Sequence, residues 1–158
     1  MYKVDGLSKL SDYASALEVD SPEIDCKIKS IKFDSRFAKN NDLFIPLKGQ
    51  KFNGEDFTDE ALNNGAAVIT QKNLNGLSLK VKNVYKCLLK LAKKNLENIR
   101  PKIIFITGSF GKTTIKDMLK HHLGDKCHCS NENENNEFGI PFTILSMPID
   151  TKYLVVEC

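Results

Sequence analysis

The chain has 158 residues, enough for one ordinary domain or two small ones. With 41% hydrophobic and 27% charged residues it reads as a soluble globular protein, not a disordered or fibrous one. A net charge of +3, with acids and bases interleaved, offers no basic stripe for nucleic acid, and no apolar run approaches a membrane span, so neither partner is expected.

Residues 1–6 are followed by no apolar h-region, so no signal peptide is expected. The five cysteines are odd in number and irregularly spaced, which is not a disulfide framework, and a reducing cytoplasm is the simplest setting. Residues 2–20 place Leu7, Leu10, Tyr13, Ala14 and Leu17 at helical spacing, with Ser8 or Ser11 as candidate cap. Ile28, Ile31 and Phe33 predict a strand ending at Asp34. Residues 42–47 predict a second, and Pro46 makes that strand either an edge or one that stops there. A helix is predicted over 56–64 with Phe57, Ala61 and Leu62 inward and Gly65 just past its end. Strands follow at 66–70 and 77–81. Residues 84–98 predict a strong helix with Val84, Leu88, Leu91 and Ala92 on one stripe and lysines around it, a solvated face in preference to a membrane-surface helix. The segment ending at Pro101 marks a domain boundary, giving domains 1–99 and 100–158.

The second part opens on the stretch that carries chemistry. Residues 103–106 are a short, β-branched apolar run, expected as a parallel strand covered on both faces. Next comes T-G-S-F-G-K-T-T at 107–114, then a helix to about residue 123. Gly108 and Gly111 let successive N–H groups converge on one anion. Lys112 adds a mobile positive charge, and Thr113 a hydroxyl able to ligate Mg²⁺. The helix N-terminus points its positive end at the same place. Together these hold the phosphates of a nucleoside triphosphate. The strict pattern G-x-x-x-x-G-K-[ST] fails at Ile106, and Phe110 at the loop tip must either turn away from the phosphates or cover them. His121 and His122 fall in the helix's last turn, and Gly124 ends it. Cys127-His128-Cys129 invites zinc, but C-x-C without a second pair fits an alternating strand better. Residues 130–139 are asparagine-rich, with side chains suited to sugar and phosphate oxygens, and lead into a structured segment at 140–145. Residues 153–157 predict a last strand ending in Glu157 at the carboxyl edge, where open α/β sheets bind ligands and where this acid suits Mg²⁺.

Several of these segments, in collinear order over most of the chain, resemble the Mur ligase family of ATP-dependent peptide ligases. The resemblance rests on Asp34-Ser35-Arg36 followed by Asp42, Leu43, Phe44, Gly49, Gly54, Phe57, Ala61 and Gly65. It rests further on the 107–114 loop, on N-N-E-F-G-I-P at 135–141 with Thr143 and Leu145, and on Val155, Val156 and Glu157. The 135–141 segment is similar to that of the branch adding D-alanyl-D-alanine. Asn53 stands where the family usually has Asp, Glu55 where it often has His, and Pro46 replaces a usual Ala.

The resemblance implies an α/β architecture. A small N-terminal α/β substrate domain precedes the truncated start of a P-loop parallel-sheet ATPase domain. It implies ATP and Mg²⁺ as cofactors, a place in peptidoglycan synthesis in the cytoplasm, and UDP-N-acetylmuramoyl-tripeptide and D-alanyl-D-alanine as substrates. Gly108, Ser109, Phe110, Gly111, Lys112, Thr113 and Thr114 would surround the nucleotide, with Lys112 catalytic and Thr113 and Glu157 on the metal. Ser35 and Arg36 would lie at the uridine-diphosphate end of the substrate, and Asn135, Asn136 and Thr143 near its sugar and diphosphate. The family's ATPase domain runs on past the V-V-E strand and a third domain closes over ATP, so an N-terminal fragment, monomeric and inactive alone, is expected. A non-catalytic UDP-sugar-peptide or partner-binding module, and a sister ligase adding the third amino acid, are the alternatives.

Overall fold

The computed structural model describes residues 1–49, 52–130 and 138–157, and the chain divides into two compact units, Met1–Leu91 and Ala92–Cys158.

The first unit is built on four parallel strands, β1 (Ser30–Lys32), β2 (Asp42–Phe44), β3 (Ala67–Thr70) and β4 (Ser78–Lys80), in the order β1-β2-β3-β4. Every residue of β2 and β3 is buried, as a parallel strand with both faces covered demands. β2 lies between β1 and β3, with Ile31 opposite Leu43 and Leu43 opposite Ala67. Pro46 therefore marks where pairing stops, not an edge, since its ring has no N–H for a ladder.

Helix α1 (Leu10–Leu17) buries Leu10, Tyr13, Ala14 and Leu17. It is shorter than predicted, and Leu7 lies before it. Neither Ser8 nor Ser11 caps it. One carboxylate oxygen of Asp12 instead accepts the Ser8 and Lys9 N–H groups at 2.9 and 2.8 Å. Helix α2 (Thr58–Asn63) is preceded by a 3₁₀ turn over Gly54–Phe57. That turn rotates Phe57 outward to 43% exposure, so the expected inward position is wrong. Ala61 keeps its place in a cluster with Ala38, Phe44, Ala66 and Val68. Gly65 has φ +83°, and a Cβ there would fall 2.0 Å from the Asn40 side-chain oxygen.

Helix α3 (Val84–Ile99) buries the predicted stripe of Val84, Leu88, Leu91 and Ala92. The division between units falls inside it, whereas the sequence boundary falls at its end, beside Arg100 with φ +52° and Pro101.

The second unit holds β5 (Lys102–Ile106), β6 (Cys127–Cys129) and β7 (Tyr153–Glu157), all parallel, in the order β5-β7-β6. β7 is central, and its Leu154, Val155 and Val156 are buried. β5 is not the strand covered on both faces that its apolar run predicts: Ile103 is 43% and Phe105 65% exposed, and only Ile106 is buried. Ile103 and Phe105 leave the same face of the strand, and it is that face which is open, while Ile104 and Ile106 on the other are part-buried and buried. Helix α4 (Lys112–Leu123) runs between β5 and β6 in sequence and buries one residue, Lys116, while its apolar Ile115 and Met118 stand half in the open. Residues 140–145 are indeed structured, inside helix α5 (Gly139–Leu145), with Pro141 in the first turn where a missing N–H is harmless. The carbonyl of Ile144 in α5 accepts a 2.7 Å hydrogen bond from the Asn95 side chain.

Candidate functional site: a phosphate loop and an aromatic cavity

β5 ends at Ile106, and the loop 107–111 carries the chain into α4. Gly108 takes φ +151° and Gly111 φ +77°, values that favour residues without a Cβ. Phe110 stands 94% exposed at the loop's tip. Thr114 and Ser109 are exposed beside it. Lys112 folds back over the loop and donates to the Gly108 carbonyl at 2.8 Å.

In the β5–β7 register Ile106 lies opposite Glu157, which brings that carboxylate to the start of the loop. The Thr113 hydroxyl lies 3.4 and 3.5 Å from its two oxygens. Lys116, one helical turn further on, places Nζ 3.3 Å from Glu157 Oε2, and both side chains are buried at 5% and 7% exposure. The Glu157 N–H donates to Ser130 Oγ at 3.2 Å. Sequence reasoning paired Thr113 with Glu157 but missed Lys116. Its one signal is the helical spacing after Thr113, and the pairing itself depends on strand register.

The donor set suits Mg²⁺. Neighbouring oxygens on an octahedral Mg²⁺ with bonds of about 2.1 Å stand about 3 Å apart. The Thr113 and Glu157 oxygens are within a small closure of that spacing, and both are hard donors. Lys116 already neutralises part of the carboxylate, so a cation there would share it. No group of three or more potential metal-ligating side chains occurs among the described residues, and the Cys127-His128-Cys129 stretch is the strand β6.

The first unit carries a cavity of about 430 Å³ at the C-terminal ends of β1 and β2, lined by Asp34, Ser35, Arg36, Glu60 and phenylalanines 33, 44, 52 and 57. Asp34 caps the 3₁₀ turn Ser35–Phe37 and grips the Arg36 guanidinium with both oxygens, at 2.9 and 2.6 Å. That Arg36 contact holds the Asp34 carboxyl below its ordinary range. The Ser35 hydroxyl donates to Glu60. The aromatic walls and Glu60 escaped sequence reasoning. Phe52 and Phe57 are 61% and 43% exposed in that lining, whereas helical periodicity assigned Phe57 to a core. The departures at 53 and 55 have local roles. Asn53 caps the turn that follows it, accepting from the Glu55 N–H. Glu55 is buried, accepting from Thr70 Oγ1 at 2.7 Å and the Gln71 N–H at 2.8 Å, which ties that turn to the end of β3.

Asn135 and Asn136 lie outside the described residues. Thr143 is buried in α5 with its hydroxyl donated to the Gly139 carbonyl at 2.9 Å.

Two family models match in tandem: "Mur ligase family, catalytic domain" over residues 27–106 and "Mur ligase middle domain" over 106–158. This chain belongs to the Mur ligase family. A UDP-N-acetylmuramoyl-tripeptide–D-alanyl-D-alanine ligase of Bacillus subtilis is 37% identical over 138 residues, covering 82% of this chain and 30% of the relative. Among solved structures, a MurF from Acinetobacter baumannii superposes with a TM-score of 0.77 at 29% identity, over 92% of this chain and 34% of that one. MurF ligase from Thermotoga maritima in complex with ADP gives 0.73 at 36% identity, over 80% and 31%. The chain thus spans about a third of the length of the Mur ligases it matches.

Proposed function

We propose that this chain is the substrate-binding and phosphate-binding part of a ligase that adds D-alanyl-D-alanine to UDP-N-acetylmuramoyl-tripeptide at the expense of ATP. The observation that carries the reading is the meeting of Thr113 and Glu157 at the mouth of the 107–111 loop, where a parallel sheet ends. In this reading the loop N–H groups, with Ser109 and Thr114, cradle the nucleotide phosphates. Lys112 leaves the Gly108 carbonyl to neutralise the outer phosphate oxygens. Thr113 and Glu157 hold Mg²⁺, which when bound supplies charge neutralisation as phosphate moves to the substrate carboxylate. Lys116 holds the buried Glu157 side chain in place. Ser35 and Arg36 take the uridine-diphosphate end of the substrate in the aromatic cavity. Asn135 and Asn136 serve its sugar and diphosphate, and Thr143 acts through the packing of α5. The domains are proposed to divide this work at about residue 100.

Titrating the chain with Mg²⁺·ADP and separately with UDP-N-acetylmuramoyl-tripeptide, by calorimetry, tests this. Lys112→Met is expected to weaken ADP about 10–100-fold, the worth of a charge-assisted hydrogen bond, and to leave the sugar nucleotide unchanged. Arg36→Ala should do the reverse. Binding of the sugar nucleotide with no ADP binding at any concentration would favour the non-catalytic module.

A further inference from the structure

Cys127 and Cys129 are not used by the proposed reaction. They sit two residues apart on β6, so both side chains leave the same face of the strand, and their sulfurs are 3.7 Å apart. Their face is that of α4, whose Lys116 and Lys120 act electrostatically on Cys129. His128 leaves the opposite face, with Nε2 3.0 Å from the Thr143 carbonyl and 3.0 Å from Ser146 Oγ. β6 is held in this pose by pairing with β7, where Cys127 lies opposite Tyr153 and Cys129 opposite Val155. Both cysteines are half-buried.

Two sulfurs 3.7 Å apart can share one central atom: two bonds of about 2.3 Å span about 3.8 Å at the tetrahedral angle, and a pyramidal trivalent centre, whose angle is narrower, would draw them slightly closer. A linear S–M–S centre would need a span of about 4.6 Å from the same bond length. A disulfide would need the sulfurs drawn to about 2 Å, against an extended strand that spaces alternate Cα atoms about 6.6 Å apart, near the upper limit for a bridge. A tetrahedral metal ion would want two more protein ligands, and no group of three or more such side chains occurs among the described residues. A trivalent arsenic compound wants only two sulfurs, since its third substituent completes it.

We infer that Cys127 and Cys129 form a dithiol site for trivalent arsenic compounds, closed by two As–S bonds across one face of β6. The reaction is a condensation without change of oxidation state. Both S–H bonds break, two As–S bonds form, and an organoarsenic oxide loses its oxygen as one molecule of water carrying the two protons. Burial, and then the neighbouring Cys127, push the Cys129 thiol up to about 11, so its thiolate is scarce at neutral pH and capture should quicken as pH rises. The inference is independent of the ligase reading, because it needs neither nucleotide nor peptide.

The probe is phenylarsine oxide added to the reduced full chain and read by intact mass. One phenylarsenic group should replace two hydrogens, be removed by a small dithiol, and resist excess monothiol. Cys127→Ser or Cys129→Ser should each weaken capture about 100-fold or more, since the second bond is intramolecular. Cys26→Ser and Cys87→Ser should leave it unchanged. On the unmodified sequence, peptide mapping should show Cys127 and Cys129 together shielded from alkylation, a readout that needs no variant to fold. Capture that survives Cys129→Ser, displacement by monothiol, or shielding of any other cysteine pair overturns the site.

Discussion

At the residue scale the decisive contact is Lys116 with Glu157, an ion pair in which both side chains are nearly fully buried. Breaking such a pair leaves an uncompensated charge inside the protein, which costs about 3–5 kcal/mol, more than the pair itself contributes. Lys116→Met is therefore expected to lower the denaturation midpoint of the second unit sharply. The double change Lys116→Met with Glu157→Gln removes both charges and should recover most of that loss, giving a coupling measurable in a double-mutant cycle. Additive losses in urea titrations of the four proteins would show that the charges act separately. Glu55 is a second such residue. Glu55→Ala strands the Thr70 hydroxyl and the Gln71 N–H. Each stranded group costs about 1–3 kcal/mol, so a clear fall in urea midpoint is expected although Glu55 touches no ligand in the proposed reaction. The glycine loop between β5 and α4 was legible in the sequence because local spacing sets it, and the meeting of Thr113 with Glu157 because Glu157 closes a predicted strand at the sheet's carboxyl edge. Lys116 and Glu55 were not, because their partners are chosen by sheet register and by a turn meeting a distant strand end.

At the element scale, the first helix shows how a charge sets a boundary. Asp12 holds two backbone N–H groups ahead of α1, and those hydrogen bonds, from Ser8 first and Lys9 next, depress its carboxyl. A folded-state value below the unfolded one means the contribution is complete above the ordinary carboxylate range. It is lost as pH falls through the depressed value. Asp12→Ala should cost about 1 kcal/mol at neutral pH, the usual worth of a cap. The gap to the parent protein should hold down to about pH 4 and close only under more acidic conditions, as followed by thermal melts across pH. A gap independent of pH would mean the loss is of packing. The serines suggested as caps had the right chemistry, but a carboxylate inside the first turn reached the same donors. β5 carries a related lesson. Its β-branched run was correctly read as a strand, but composition cannot distinguish a central strand from an edge, and here β7 took the centre.

At the scale of the whole molecule, α3 is the element to watch, because it is one continuous helix whose residues belong to two compact units. Leu88 and Leu91 are fully buried in the first unit's share of it, and Asn95 is tied to the Ile144 carbonyl in the second's. Packing, more than helix propensity, decides helix stability at this length. Each half should therefore open with the unit that buries it. Leu79→Ala in β4 removes a fully buried side chain from the first unit and Leu154→Ala one from the second, each at a cost of about 2–5 kcal/mol. Native-state hydrogen exchange should then show residues 84–91 losing protection with the first variant and residues 94–99 with the second. If both variants lower protection evenly along the helix, the two units unfold as one and the helix transmits the loss. In that case a substitution in the aromatic cavity would be felt at the phosphate loop through stability alone. Ligand affinities at either site would then have to be compared at matched stability before any role is assigned to a residue.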